Sequence, residues 1–169
     1  MLDRLILEPF FEGIHDYCII KLSDDFPQYK TYSDIDIVCL DKELTKDHIE
    51  KIGEQFKNYK IKISTGQSNN LHVDFFYKNE DKLDFRFDLY DHLSFKKVGD
   101  DLLGLMFDTK IIYKGVYIPC EDVDLAIRFM EYKDYIDHRP EKIKHLKYIE
   151  SKSNTEYIKI LKEFTSYEN

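Results

Sequence analysis

The chain has 169 residues, of which 43% are hydrophobic and 34% charged, and its formal net charge is −8. This composition suits one globular domain with at most a short appended segment and excludes a disordered chain. An acidic field of this kind argues against nonspecific binding to nucleic acid or to an anionic membrane, so neither partner is expected.

Cys18, Cys39 and Cys120 stand far apart without metal-ligand spacing, which reads as reduced, buried thiols. The first residues are too charged for a signal peptide, and no apolar run approaches the ~20 residues of a membrane helix. A cytoplasmic protein is expected.

In chain order, Leu2, Leu5, Ile6 and Phe10 predict a short helix over 2–13. A buried strand follows over 17–22, then a polar loop from Ser23 to Ser33, then a strand from Asp34 to Leu40. Residues 42–58 read as an amphipathic helix with Leu44, Ile49, Ile52 and Phe56 on its inner face. A short strand is expected at Ile61 to Ile63 and a turn at 66–70. Residues 71–77 and 83–90 are strong strands that the polar link 78–82 joins as a hairpin.

A short helix over 100–106 precedes a strand pair over 110–118 that turns at Lys114-Gly115. A helix then runs from Glu121 to Ile136, with acids in its first turn as the helix dipole favours. Pro140 opens another helix, and Ser153-Asn154-Thr155-Glu156 has the form of a capping box that opens the last. Strands first and helices last predict an α+β fold, a mixed β-sheet with flanking helices. Residues 1–120 form its core and residues 121–169 a C-terminal helical segment packed on it.

Ser33-Asp34-Ile35-Asp36-Ile37-Val38-Cys39 is the most informative stretch. Alternation along a strand puts Asp34 and Asp36 on one face, about 7 Å apart, and turns Ile35, Ile37 and Cys39 to the core. Two carboxylates so placed can share a Mg²⁺ ion, which prefers hard oxygen ligands and keeps waters that a phosphate can replace. The alternative is a pair of solvated acids at the start of an edge strand. Leu83-Asp84-Phe85-Arg86-Phe87-Asp88-Leu89 repeats the pattern, with Asp84, Arg86 and Asp88 on one face. Asp74, on the strand before it, is a further acid.

The Asp-x-Asp strand, the strand-and-turn at Cys18 to Ser23 before it, and the acid-bearing strand Leu83-Asp84-Phe85-Arg86-Phe87 together resemble the polymerase-beta-like nucleotidyltransferases over residues 17–90. The resemblance implies a nucleotidyltransferase-like sheet in which Asp34, Asp36 and Asp84 bind Mg²⁺ (or Mn²⁺) and act in catalysis. Asp88 is a rival for the third acid by strand parity, and Asp74 a weaker one. Ser23 and Ser33 fall where such proteins contact the nucleotide. One departure stands out: the turn glycine of the family is absent, and position 22 is Leu.

In the tail, Arg128 lies on the polar side of its helix. Arg139 and Lys142 flank a helix start at Pro140, whose free N–H groups suit a phosphate. The plainer alternative is an exposed inter-helix turn, and His138 and His145 read as surface histidines. The expected activity is Mg²⁺-dependent transfer of a nucleoside monophosphate from a nucleoside triphosphate to a small acceptor, such as a sugar or sugar phosphate. The alternative is an inactive module of the same fold that binds or regulates.

Overall fold

The computed structural model describes residues 5–66, 68–77, 82–95 and 98–152. Its fold is α+β. Five strands, β1 (Tyr17–Ile20), β2 (Ser33–Cys39), β3 (Tyr59–Thr65), β4 (Leu71–Tyr77) and β5 (Leu83–Tyr90), form one sheet in the order β1-β2-β5-β4-β3. The β2–β5 pair is parallel and the other pairs are antiparallel. Helix α1 (Lys42–Gly53) follows β2, and α2 (Gly99–Thr109) follows β5. A separate hairpin, β6 (Ile111–Tyr113) and β7 (Val116–Ile118), leads into α3 (Glu121–Tyr135) and then α4 (Ile143–Lys152). Among the described residues no helix is long and apolar enough to cross a membrane.

Strand alternation divides the apolar residues between two cores. On one face Tyr17, Ile19, Ile37, Val73, Phe75, Phe85, Phe87 and Leu89 pack with Phe10, Phe11 and Ile49. On the other, Cys18, Ile20 and Val38 pack with Leu102 and Met106 of α2 and Val123, Ile127 and Met130 of α3. The buried strand residues of this second cluster come from β1 and β2, and Tyr90 at the end of β5 packs against it. Farther across the same face, β5 and β4 carry charged side chains.

The N-terminal segment differs from the expected helix. Its described part is a single 3-10 turn, Glu8–Phe11, with Pro9 at its start. Proline supplies no N–H, so a helix cannot run through it from the residues before. The first part of that expectation, residues 2–4, lies outside the described residues, as does the expected helix opening at 153–156.

Helix α1 starts where Asp41 accepts a hydrogen bond from the Leu44 N–H at 2.9 Å, a side-chain cap on the first turn. It ends at Gly53 rather than at 58, and it buries Thr45, Ile49 and Gly53. Leu44, assigned to the inner face, is 67% exposed. At Gly53 the helix backbone comes close to side chains of the sheet that an added Cβ would meet. A Cβ there would lie 2.6 Å from Ile61 Cδ1 and 2.8 Å from Phe75 Cε1. The helix expected to open at Pro140 begins as a 3-10 turn, Pro140–Lys142, before α4.

Candidate functional site

Register across the sheet sets two rows of polar residues on the face shared with α2 and α3. Asp34 of β2 is paired with Arg86 of β5, which is paired with Asp74 of β4. Two residues on, Asp36 is paired with Asp88, and Asp88 with His72. Directly paired residues on neighbouring strands lie about 5 Å apart. The acids of two strands distant in sequence therefore meet because β2 and β5 run parallel.

Arg86 donates to both oxygens of Asp74, at 2.6 and 3.0 Å. His72 Nδ1 contacts Asp88 Oδ1. Burial pushes the Asp88 carboxyl up to about 6, against the opposing pull of His72. Tyr90 donates from its hydroxyl to Asp36 Oδ1 at 3.2 Å, and burial followed by the charge of Asp36 raises the Tyr90 pKa. Asp34 is exposed, and among the described residues its carboxylate makes no hydrogen bond or ion pair.

Asp84 does not follow the parity of its strand. Phe75 is paired with Phe85, but Phe76 is paired with Leu83, so Asp84 is the extra residue of a β-bulge. A bulge breaks the alternation of faces and re-aims the side chain. The Asp84 carboxylate accepts from the hydroxyls of Tyr29 and Tyr59, each at 2.8 Å, and both tyrosines belong to the first core.

A cavity of about 560 Å³ opens where β1 ends and β2 begins. Asp34, Asp36, Ser23, Ser33, Arg128, Arg139 and Lys142 all line it, whereas Asp74, Asp84 and Asp88 do not. Its wall carries six Lys or Arg residues and three Asp, the reverse of a chain with 33 acids and 25 bases. Ser33 Oγ and His145 Nδ1, both on lining residues, are buried without a hydrogen-bond partner among the described residues.

Several of these cations are already engaged. Arg128 pairs with Asp124 at 2.6 Å and stacks 4.1 Å from the Tyr148 ring centre. Arg139 is exposed and pairs with Glu141 at 2.8 Å. Lys142 is buried, and its ammonium donates to Glu131 Oε2 at 2.6 Å. The expected helix N-terminal phosphate site at Pro140 is only a three-residue 3-10 turn.

Glu131 is the hub that the sequence reading passed over. It is 9% exposed and holds three groups: Lys21 at 2.6 Å, Lys142 at 2.6 Å and His145 Nε2 at 3.0 Å. The His145 approach is close enough for attraction but lacks hydrogen-bond geometry. Burial alone would raise the Glu131 carboxyl, but His145, Lys21 and Lys142 outweigh it and hold it well below the usual range. The signal was present in the helix: Val123, Ile127 and Glu131 recur every four residues, which puts all three on one buried face.

Lys21 ends β1 in the left-handed region, at φ 55°. Position 21 therefore, not Leu22, carries the backbone shape that a glycine would adopt most readily. Its ammonium lies 2.6 Å from Asp36 Oδ2 as well as 2.6 Å from Glu131. Burial would lower its pKa, but the two carboxylates prevail and raise it.

Comparison with known proteins finds no match: no family model fits the sequence, and no curated protein or solved structure matches it. The site must be read from its own chemistry. Asp34 and Asp36 offer hard carboxylate oxygens two residues apart at the rim of a cavity, which suits Mg²⁺ with water or phosphate completing its shell. Among the described residues no group of three His, Cys, Asp or Glu side chains forms a ready metal cage. The donor set fits an ion bound jointly with an anionic ligand better than a closed structural site.

Proposed function

We propose that the protein is a nucleotidyltransferase that moves a nucleoside monophosphate from a nucleoside triphosphate to a small acceptor, with Mg²⁺ or Mn²⁺ held by Asp34 and Asp36. The observation that carries this reading is the cavity itself, with two carboxylates on its sheet wall and six Lys or Arg side chains around it, of which Lys30 and Lys144 make no ion pair among the described residues. That combination suits a polyphosphate chelating a divalent ion.

The ion, when bound, would neutralise charge on the phosphoryl oxygens. Lys30 and Lys144 line the cavity without an ion pair among the described residues, and their ammonium groups would bind phosphate oxygens. Ser33 Oγ, buried without a partner, would donate to one of them. An acceptor oxygen would attack the α-phosphorus in line, and the bond to pyrophosphate would break. Asp88, although beside Asp36, does not line the cavity, so the acceptor proton would leave to water in the open cleft.

A second reading has one observation in its favour. The Lys21 ammonium at 2.6 Å neutralises Asp36, as it would in a module that keeps the fold and binds an anion without transferring it. The test is thermal stability of the purified protein with each of the four ribonucleoside triphosphates, with and without Mg²⁺. Binding at a hundredfold excess over Kd adds about 2.7 kcal/mol of apparent stability. Transfer predicts a Mg²⁺-dependent rise with at least one nucleotide that Asp34→Asn and Asp36→Asn abolish. A rise that needs no Mg²⁺ and survives both substitutions favours the binding module.

A further inference from the structure

Lys21 joins parts of the chain that are far apart in sequence. Its ammonium meets one carboxylate from β2 and one from α3, each at 2.6 Å. Its backbone N–H lies 3.3 Å from Asp124 Oδ1, also on α3. The side chain is only 16% exposed and borders the cavity. The backbone at this position is left-handed, a shape that is costly for any residue with a Cβ. Non-glycine residues in this region cluster where the surroundings require them.

Three facts constrain what this ammonium does. It covers Asp36 Oδ2, one of the oxygens a divalent ion would use. The carboxylate of Asp34, two residues away, makes no hydrogen bond or ion pair among the described residues. Glu131 Oε1 holds Lys21 independently of Asp36, while Glu131 Oε2 is taken by Lys142. An ammonium has three N–H donors, so Lys21 can release Asp36 without losing Glu131.

We propose that Lys21 is the resident cation of the acid pair: it fills the place at Asp36 that a divalent ion takes and yields it when the ion binds, remaining anchored on Glu131. The freed N–H then faces the cavity as a donor for an anionic ligand. Metal binding and Lys21 thus compete for one carboxylate. This inference rests on the reading of Asp34 and Asp36 as metal ligands, and its test separates the two.

The probe is Mn²⁺ alone, titrated into the full chain and followed by the electron paramagnetic resonance of the free ion. Lys21→Met should bind Mn²⁺ about tenfold tighter than the parent protein, because it removes a positive charge in direct contact with the ligand oxygen. Lys142→Met removes the neighbouring ammonium from the same Glu131 without touching Asp36, and should change the affinity less than about threefold. Equal Mn²⁺ affinity in the parent and Lys21→Met, with binding still lost in Asp36→Asn, overturns the role of Lys21 and leaves the metal site standing. An equal gain in Lys142→Met overturns it too, since the effect is then one of general charge. No Mn²⁺ binding to any of these proteins removes both readings.

A measurement on the parent protein covers the case in which Lys21→Met does not fold. The ¹H–¹⁵N signals of the ion-paired Lys21 and Lys142 ammonium groups, told apart by the loss of one in Lys142→Met, are followed as Mg²⁺ is added. The Lys21 signal should shift and the Lys142 signal hold. A Lys21 signal unmoved at saturating Mg²⁺ overturns the proposal.

Discussion

Glu131 concentrates more buried charge than any other described residue, and its removal should be felt throughout the cavity wall. Glu131→Gln keeps the shape but leaves one acceptor oxygen where Lys21 and Lys142 each use one at 2.6 Å, and removes the charge that both ammonium groups face. Breaking one side of a buried ion pair costs about 3 kcal/mol. The pH dependence has a definite sign. The Glu131 carboxyl is held below its ordinary 4.5, so in acid the unfolded chain binds the proton first. Its stabilisation is complete above about pH 4.5 and is lost as the pH falls below that. Denaturant unfolding should therefore show Glu131→Gln less stable at neutral pH, and the gap should narrow progressively as the pH falls below about 4.5.

Reading single residues from the sequence succeeded where alternation held. Asp34 and Asp36 face the same side because β2 is regular from Ser33 to Cys39. Parity failed at Asp84 because the strand holds one residue more than its partner there. Nothing in Leu83-Asp84-Phe85 distinguishes a bulge from a continuous strand. Lys21 and Glu131 escaped notice for a different reason. Each is a lone charge at the edge of an apolar run; the helical spacing marks Glu131 as buried but does not show its bond to Lys21, 110 positions away.

Among the elements, α1 shows how a hydrophobic pattern misleads. Large apolar residues suggested the inner face, but Leu44 faces solvent while the small Gly53 lets the helix approach Ile61 and Phe75 closely. Two glycines should therefore respond to alanine in opposite directions. Gly53→Ala gains about 1 kcal/mol of helix propensity. It also drives a methyl group into the buried ring of Phe75, an overpacking that costs about 1–3 kcal/mol and outweighs the gain. Gly104 lies within α2 with no atom within 4 Å of an added Cβ. Gly104→Ala should stabilise the protein by about 0.5–1 kcal/mol. Melting temperatures report both, at about 2–4 °C per kcal/mol for a chain of this length.

At the scale of the whole molecule, the α+β class and the strand hairpin of 71–77 and 83–90 were legible because they depend on local periodicity. The pairing of β2 with β5 was not, since α1, β3 and β4 intervene. That parallel contact decides which acids become neighbours. It sets Asp88 beside Asp36 and leaves β1 and β3 as the two outer strands.

The outer position of β3 has a consequence for the behaviour of the protein at high concentration. No strand among the described residues pairs with its far side, so its backbone offers a template to another chain. Lys60 and Lys62, both exposed, alternate along it with Tyr59, Ile61 and Ile63. Two like charges on one edge repel the same edge of a second copy, which keeps copies from zipping together. Lys60→Thr/Lys62→Thr retains β propensity and removes that repulsion. Sedimentation should find larger, concentration-dependent species in the double variant and a single species in the parent, with Lys60→Glu/Lys62→Glu restoring the single species. The two lysines thus act as a solubility guard for a sheet whose open edge is a by-product of how it brings its acids together.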